Sequence, residues 1–301
     1  MDIVFFGTPE FALPALETLI ESRHVVKAVV TAPDKPTGRG RKTRASAVKR
    51  FAEERGIPVL QPERLKDETF LDELRAFHAD MFVVVAFRIL PPEVFAMPPF
   101  GSINLHGSLL PKYRGAAPMQ WALINGERET GVTTFALAKK VDTGATILRR
   151  AVSIDEDDDL GTLHDKLADV GAKATLDTVD LVERGAATPL EQNHELATPA
   201  PKITGEHCVI DWTKPARDVR NLVRGLSPAP GARFERSGTS YKVYRAAVED
   251  RDDLAPGEVE ETKRSLTIGC GEKALAVEEI QPEGRKRMTA EEFVRGYSLN
   301  E

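Results

Sequence analysis

The chain has 301 residues, of which 41% are hydrophobic, and it carries a net charge of −6 at pH 7. This length allows two domains of ordinary size, and the acidic balance argues against a general nucleic-acid binder. No apolar run reaches the length of a membrane helix. Residues 1–7 lack the basic leader of a signal peptide and predict a first β-strand. We therefore expect a cytoplasmic protein.

The first two hundred residues alternate between predicted strands and helices. Apolar runs predict strands at 3–6, 25–31, 59–60, 81–86 and 103–106. Helical periodicity follows Gly7, and it returns at 47–55, 69–77, 118–124 and 162–183. The continuous run 81–86 is typical of a strand buried on both faces. This alternation predicts a Rossmann-like, doubly wound α/β sheet, whose ligands bind at the carboxyl ends of the strands.

The segment 35–50 concentrates positive charge in an acidic chain. It contains no acidic residue and seven basic ones: Lys35, Arg39, Arg41, Lys42, Arg44, Lys49 and Arg50. The segment thus carries +7, and the remainder of the chain carries −13. We expect a loop that contacts one polyanion, with Gly38 and Gly40 leaving it disordered until that partner arrives. The alternative is a solvated surface loop without a role.

The most informative segment is 103–118, which begins with Ile103-Asn104-Leu105-His106-Gly107-Ser108. Residues i and i+2 of a strand point to the same face, so Asn104 and His106 should project together from a strand end. An amide donor beside a group that titrates near neutrality suits a developing oxyanion and a proton transfer. Asp142 opens a turn after the β-rich run 133–137. Without a nearby nucleophilic Ser or Cys, this set favours direct group transfer.

The composition changes after residue 185, where a polar, proline-bearing linker is predicted to extend over 186–204. We therefore predict a catalytic domain over 1–185 and a second domain over 205–301. Short strands at 209–212, 241–244, 258–259, 266–268 and 275–277 predict a small barrel. An amphipathic helix is predicted at 215–226, with Arg217, Arg220 and Arg224 along one face.

Other classes of site have little support. Cys208 and Cys270 are far apart, and the six histidines show no metal-ligand spacing, so no metal site is predicted. The Gly-x-Gly-x-x-Gly fingerprint does not follow the first strand, which argues against a nicotinamide-dependent dehydrogenase.

The run 103–118, together with Asp142, resembles the folate-dependent formyltransferases. In that family Asn, His and Asp surround the formyl carbon of 10-formyltetrahydrofolate. Residues 33–42 resemble the inserted loop of the family members that formylate initiator methionyl-tRNA. The C-terminal third, including 210–212 and 288–293, resembles the OB-like domain of those members. The resemblance thus covers nearly the whole chain.

The resemblance implies transfer of a formyl group from 10-formyltetrahydrofolate to the amine of methionyl-tRNA, giving N-formylmethionyl-tRNA for translation initiation. It implies that Asn104 binds the formyl oxygen, that His106 passes a proton to the leaving nitrogen, and that Asp142 supports His106 and takes the amine proton. It implies a Rossmann-like domain and an OB-like, tRNA-binding barrel, and we expect a monomer. The folate-binding residues would be Phe87, Arg88, Ile89, Leu90, Ser108, Leu109, Leu110 and Pro111. The tRNA-binding residues would be Lys35, Arg39, Arg41, Lys42, Arg44, Arg217, Arg220 and Arg224.

The alternative within the family is a sugar-nucleotide N-formyltransferase, because some of these enzymes share the donor, similar loops and a C-terminal appendage. The purine-pathway formyltransferase resembles only the first two-thirds of the chain. A non-catalytic tRNA-binding protein is disfavoured by the intact Asn104, His106 and Asp142. A hydrolase would leave the basic segment without a purpose. Residues 86–90 (Ala-Phe-Arg-Ile-Leu) are one residue shorter than the commoner version in the tRNA enzymes.

Overall fold

The computed structural model of the protein describes residues 1–37 and 42–300. Strands β1–β9 are Asp2–Gly7, Val25–Val30, Lys35–Thr37, Lys42–Arg44, Val59–Leu60, Met81–Val85, Ser102–His106, Glu129–Ala136 and Thr146–Ser153. Strands β10–β15 are Ala232–Arg236, Thr239–Glu249, Val259–Glu261, Leu266–Gly269, Ala274–Pro282 and Met288–Thr289. Helices α1–α8 are Leu13–Glu21, Ala47–Glu54, Glu68–Ala76, Pro92–Phe95, Pro118–Ile124, Leu160–Glu183, Ala216–Gly225 and Ala290–Gly296. None of the helices in these residues has both the length and the apolar character needed to cross a membrane.

The larger sheet has seven strands in the order β5-β2-β1-β6-β7-β8-β9. The pairs from β5 to β7 are parallel, as the alternation of elements predicts. Strand β8, however, runs antiparallel to β7, with His106 opposite Thr133. The sheet is therefore mixed, and the prediction of a doubly wound fold is confirmed only at the level of an α/β domain.

Both faces of the central strands are buried. Val4 and Phe6 of β1 pack with Phe82 and Val84 of β6 in a cluster that also contains apolar residues of α3 and α4. The alternate residues of these strands, such as Phe5 and Val83, are fully buried as well. Alternating side chains point to opposite faces, so these central strands are covered on both sides of the sheet.

Local signals explain the helix boundaries near the basic segment. The Ser46 hydroxyl accepts a hydrogen bond from the backbone N–H of Lys49 at 3.0 Å and so caps α2. Asp67 caps α3 in the same way by accepting from the Thr69 N–H at 3.0 Å. The helices predicted at 47–55 and 69–77 therefore begin within a residue of the observed ones.

The segment predicted as a loop contains two short strands. Strands β3 and β4 pair antiparallel, with Lys35 opposite Arg44 and Thr37 opposite Lys42. The prediction of a loop without secondary structure was therefore wrong at these residues, because charge alone does not report local backbone pairing. We call residues 35–44 the basic hairpin; residues 38–41 at its centre lie outside the described part of the chain.

The C-terminal sheet is antiparallel, in the order β10-β11-β14-β13-β12, with β15 paired to β14. Its core includes Val219 and Val223 of α7, Val243 of β11 and Phe293 of α8. Over residues 202–300 no strand pairing closes this sheet into a barrel, so the predicted OB-like barrel is not confirmed.

The strand predicted at 209–212 was wrong. Only Val209 makes a β-bridge, to Arg233. The Asp211 carboxylate accepts a hydrogen bond from the backbone N–H of Thr213 at 3.0 Å. This side-chain turn competes with strand pairing and bends the chain before α7.

The described residues form two compact units. The first comprises the described residues of 1–115, 130–153 and 164–199, and the second comprises those of 116–129, 154–163 and 200–301. The predicted domain limits, 1–185 and 205–301, stay a prediction.

Candidate active site

Asn104 and His106 lie at the carboxyl end of β7, in the middle of the larger sheet. Asn104 is half-buried, and its side chain has no hydrogen-bond partner among residues 1–37 and 42–300. His106 is 6% exposed. A half-buried amide without a protein partner retains its full capacity to bind a ligand, because leaving such a group unpaired costs free energy.

The imidazole of His106 is fixed by the chain that follows it. Its Nε2 lies 2.8 Å from the backbone carbonyl oxygen of Tyr113. A carbonyl oxygen only accepts, so Nε2 carries a proton and donates. Nδ1 lies 3.9 Å from Oδ2 of Asp142, which is longer than a hydrogen bond. Asp142 Oδ2 also accepts from the Gly115 N–H at 2.9 Å. The structure therefore brings His106 and Asp142 together at the end of β7, the strand that also carries Asn104.

The turn that carries Asp142 is held by a side chain that sequence reasoning missed. Gln192 is 5% exposed. Its Nε2 donates to the carbonyl oxygens of Asp142 and Gly144, at 3.0 and 2.7 Å. Its Oε1 accepts from Nη2 of Arg114 at 2.6 Å. Asp142 itself has a φ of 53°, an unusual conformation for a non-glycine residue. Gln192 lies in the predicted linker, where a lone glutamine gives no signal.

Gly144 is required by close packing. A Cβ atom at this position would lie 1.7 Å from the carbonyl oxygen of Ala136. Any side chain would push the turn away from β8. The two contacts, at Gly144 and Gln192, together fix the position of the Asp142 carboxylate.

The segment 108–113 is tied to β8 by its own hydrogen bonds. Ser108 donates to the Lys112 carbonyl oxygen at 2.6 Å. Thr133 donates to the Ser108 carbonyl oxygen at 2.7 Å and accepts from the Leu110 N–H at 3.0 Å. Leu110 is 1% exposed. Of the predicted folate-binding residues here, Ser108 and Leu110 make the hydrogen bonds that hold the loop in place. Leu109 and Pro111 are half-buried.

The loop 86–90 after β6 contains the other predicted folate-binding residues. Ile89 is 73% exposed, whereas Leu90 is 6% exposed and packs in the cluster with Val94. The Phe87 ring meets the Phe6 ring edge-on at 5.6 Å. Among these residues Ile89 has the largest surface free for a ligand.

Arg88 anchors this loop to a neighbouring segment. Its guanidinium donates to the carbonyl oxygens of Pro62 and Glu63, at 2.7 and 3.0 Å. Partial burial lowers the pKa of the Arg88 guanidinium, which stays protonated. Its Nε is buried and has no partner in the described residues.

The predicted tRNA-binding residues fall into three groups. Arg39 and Arg41 lie outside the described residues, and Lys35, Lys42 and Arg44 lie on the two strands of the basic hairpin. On α7, the Arg217 side chain is 80% exposed.

The other two arginines of α7 are used within the second unit. Arg220 donates to the Glu156 carbonyl oxygen at 2.7 Å. Arg224 donates to the Asp155 carbonyl oxygen at 3.2 Å and to the Asn221 side chain at 3.0 Å. Burial lowers the pKa of the Arg224 guanidinium. Among the three, only Arg217 is largely exposed.

A cleft of about 490 Å³ lies beyond the carboxyl ends of β1 and β2. Thr8, Ala32, Ser46, Arg50 and His164 are among its lining residues, and none of the predicted folate-binding residues is. The cleft and the end of β7 that carries His106 lie at the same edge of the sheet. Ligands bind at this edge in α/β folds.

Among residues 1–37 and 42–300, one group of side chains has the chemistry of metal ligands. Potential ligand atoms of His24, Asp180 and Glu183 lie within 4.8 Å of one another. Arg23 pairs with both carboxylates, at 2.6 and 2.5 Å. Sequence spacing could not reveal this group, because His24 and Asp180 lie on elements far apart in the chain.

Comparison with known proteins shows what the chain is similar to. Residues 1–179 match the formyl transferase family, and residues 202–298 match the C-terminal domain of formyl transferases. The chain is 48% identical to the methionyl-tRNA formyltransferase of Caldanaerobacter subterraneus subsp. tengcongensis, over 100% of this chain and 98% of that protein. It is 45% identical to that of Pelotomaculum thermopropionicum, over 100% and 97% of the two chains.

The fold is also found among solved structures. An N-formyltransferase from Helicobacter canadensis, solved with folinic acid and dTDP-3-aminofucose, superimposes with a TM-score of 0.68. The match covers 91% of this chain and 98% of that chain at 19% sequence identity. At this identity the likeness concerns the fold alone.

Proposed function

Because the chain belongs to the family of methionyl-tRNA formyltransferases, we propose that it transfers the formyl group of 10-formyltetrahydrofolate to the free amine of methionyl-tRNA. The observation that carries this proposal is the 48% identity over the full chain. The approach of His106 to Asp142 at the end of β7, the strand that also carries Asn104, supports it. The folate donor supplies a formyl group on a nitrogen that leaves when the new amide forms.

Asn104 binds the formyl oxygen in this mechanism. Its amide is half-buried and has no partner among the described residues, so it meets the oxygen without first breaking a protein hydrogen bond. The oxygen gains negative charge as the amine attacks, and a fixed N–H donor stabilises that charge more than it stabilises the neutral formyl group.

His106 and Asp142 handle the protons. The attacking amine forms the new C–N bond and loses one proton, and the folate nitrogen gains one as its C–N bond breaks. Nε2 of His106 is held by the Tyr113 carbonyl, which leaves Nδ1 facing the Asp142 carboxylate at 3.9 Å. Asp142 stabilises the protonated ring and accepts the amine proton, while His106 delivers a proton toward the leaving nitrogen.

Folate contacts come from the loops around this strand end. Ile89 offers an exposed apolar surface, Leu109 and Pro111 offer half-buried ones, and Phe87, Arg88, Leu90, Ser108 and Leu110 hold the loops in place. The basic hairpin and Arg217 contact tRNA phosphates, and the C-terminal antiparallel domain serves as an OB-like tRNA-binding domain. The protein acts as a monomer in the cytoplasm without a metal.

An acceptor competition tests this proposal. The protein is incubated with formyl-labelled 10-formyltetrahydrofolate and equal concentrations of methionyl-tRNA and an amino-sugar nucleotide. We expect label in N-formylmethionyl-tRNA, and none when the methionyl amine is blocked beforehand by acetylation. Label only in the sugar nucleotide would assign the chain to the alternative acceptor class, and label in neither would contradict formyl transfer.

A further inference from the structure

The residues that flank the basic hairpin on its two sides are joined by hydrogen bonds between side chains. At one side of this base, the hydroxyl oxygens of Thr31 and Ser46 lie 2.8 Å apart. Thr31 follows β2 and is fully buried, and Ser46 caps α2. Thr31, which precedes the hairpin, is thus hydrogen-bonded to Ser46, which follows it.

A second, larger contact lies next to it and joins Asp34, Lys49 and Gln61. Lys49 Nζ donates to Asp34 Oδ2 at 2.7 Å and to Gln61 Oε1 at 2.8 Å. Gln61 Nε2 donates to Asp34 Oδ1 at 2.7 Å and to the Ala32 carbonyl oxygen at 2.9 Å. The three side chains form a closed ring of hydrogen bonds, which we call the base network.

The base network differs from an ordinary surface ion pair. The side chains of Lys49 and Asp34 are only 17% and 27% exposed. The hydrogen bonds within the network lower the pKa of the Asp34 carboxyl and raise that of the Lys49 ammonium. Exposed single pairs contribute little, since water screens them and their side chains are mobile. Here an amide uses both its donor and its acceptor to hold the pair in one geometry.

The network also connects three elements. Asp34 is the residue before β3, Lys49 lies in the first turn of α2, and Gln61 follows β5. It therefore fixes the entrance of the hairpin relative to two elements of the α/β unit. Lys49 belongs to the basic segment 35–50 by sequence, yet its charge is used within the fold.

We propose that Asp34, Lys49 and Gln61 are positioning residues, which hold the basic hairpin in the orientation that receives methionyl-tRNA. This inference rests on the proposed function, in which the hairpin contacts tRNA. When a binding-competent orientation is populated only in part, apparent affinity falls by that fraction. Loss of the network therefore weakens tRNA use without removing any phosphate contact.

The sharpest variant is Gln61→Glu, which keeps the side-chain shape but places a carboxylate against Asp34. Asp34→Asn is a milder, isosteric second variant, and Lys49→Met removes the ammonium. Lys27→Gln is the matched control, because it removes a lysine paired with Asp2 at 3.3 Å, away from the hairpin. Steady-state rates are measured against methionyl-tRNA at two salt concentrations, with the folate KM and the melting temperature alongside.

We expect KM for methionyl-tRNA to rise about tenfold in Gln61→Glu, as for a competent fraction reduced to about a tenth. The kcat at saturating tRNA, the folate KM and the salt dependence should match those of the parent protein. Lys27→Gln should behave like the parent protein. Lys49→Arg keeps a positive charge, so its KM for methionyl-tRNA should be lower than that of Lys49→Met. A purely structural role would instead lower the melting temperature and leave the KM of the folded fraction unchanged.

Three results would overturn the inference. One is a parental KM in both Gln61→Glu and Asp34→Asn, and another is a loss confined to melting temperature. The third is a salt slope that falls by about 0.7–0.9 in Lys49→Met, which would make Lys49 a phosphate contact.

The double variant Arg39→Ala, Arg41→Ala separates the claim that the hairpin contacts tRNA from the claim that the base network positions the hairpin. If its KM and salt slope are parental, the hairpin's role in tRNA binding fails; if they change while Gln61→Glu is parental, only the positioning role fails.

Discussion

The end of β7 and helix α7 both gather polar residues that the sequence singles out, but they use them in opposite ways. At β7, the half-buried amide of Asn104 has no partner among the described residues. On α7, Arg220 and Arg224 donate to backbone carbonyl oxygens of their own unit. A polar group that the fold leaves unpaired is available to a substrate, whereas one that the fold satisfies is part of the scaffold.

The comparison extends to the basic segment 35–50. Lys49 contributes to the charge that predicts tRNA binding, yet it donates to Asp34 and Gln61. Counting charges along a chain therefore overestimates the cations that a partner can reach. Hydrogen-bond partners distinguish the two uses, and they become visible only when the tertiary structure is known.

The largest effect on kcat is expected at His106 and Asp142, and its absence would contradict this comparison. We expect His106→Ala and Asp142→Asn each to lower kcat by about 10²–10⁴, the usual contribution of a general acid or base. The double variant should be no worse than the more damaged single variant, because the pair acts as a unit. Asp72→Asn, which alters a carboxylate that is 74% exposed, should match the parent. Additive losses in kcat would mean that the two residues act separately.

A smaller effect on kcat is expected from Gln192, whose side chain is hydrogen-bonded within the fold and holds the turn that carries Asp142. Gln192→Ala removes the donor to the carbonyl oxygens of Asp142 and Gly144. We expect kcat to fall about 10–100-fold, since displacement of a catalytic group by about 1 Å can cost that much. The adjacent substitution Glu191→Gln, on an exposed residue, provides the control for kcat and melting temperature. Equal kcat values in the two variants would show that Gln192 does not position Asp142.

The smallest effect on catalysis is expected at helix α7, where Arg224 and Arg217 form a matched pair. Arg224→Ala leaves the Asp155 carbonyl oxygen and the Asn221 side chain without this donor. It should destabilise the fold by about 1–3 kcal/mol and leave kcat unchanged. Arg217→Ala, at an 80% exposed side chain, should leave stability unchanged and weaken only tRNA use. Denaturant unfolding measures the stability of each variant, and steady-state kinetics measure its KM for methionyl-tRNA. A loss of stability in Arg217→Ala together with weaker tRNA use in Arg224→Ala would refute the comparison.

Much of the first unit could be predicted from sequence because its signals are local. The apolar run 81–86 and the caps at Ser46 and Asp67 determine where β6, α2 and α3 lie. The i, i+2 spacing of Asn104 and His106 predicted a shared face because strand geometry has a period of two. The formyltransferase resemblance is confirmed by the relatives over the whole chain.

The remaining features depend on contacts between distant residues. The Gln192 contact with Asp142 spans 50 positions of the chain, and no periodic pattern encodes it. The antiparallel pairing of β7 with β8 is likewise invisible in the composition of either strand. At 209–212 an apolar pattern predicted a strand, but the side-chain turn at Asp211 dominated.

The most direct test of the account is the rate of formyl transfer when Asn104 loses its donor. Asn104→Asp keeps the shape of the side chain and replaces the N–H donor with an oxygen, and Asn104→Ala removes both. A single-turnover measurement with saturating 10-formyltetrahydrofolate and methionyl-tRNA isolates the chemical step. The account predicts that both variants fall by about 10²–10³ in rate, with parental folate affinity and melting temperature. A near-parental rate in folded Asn104→Asp would contradict the claim that this unpaired amide stabilises the transition state.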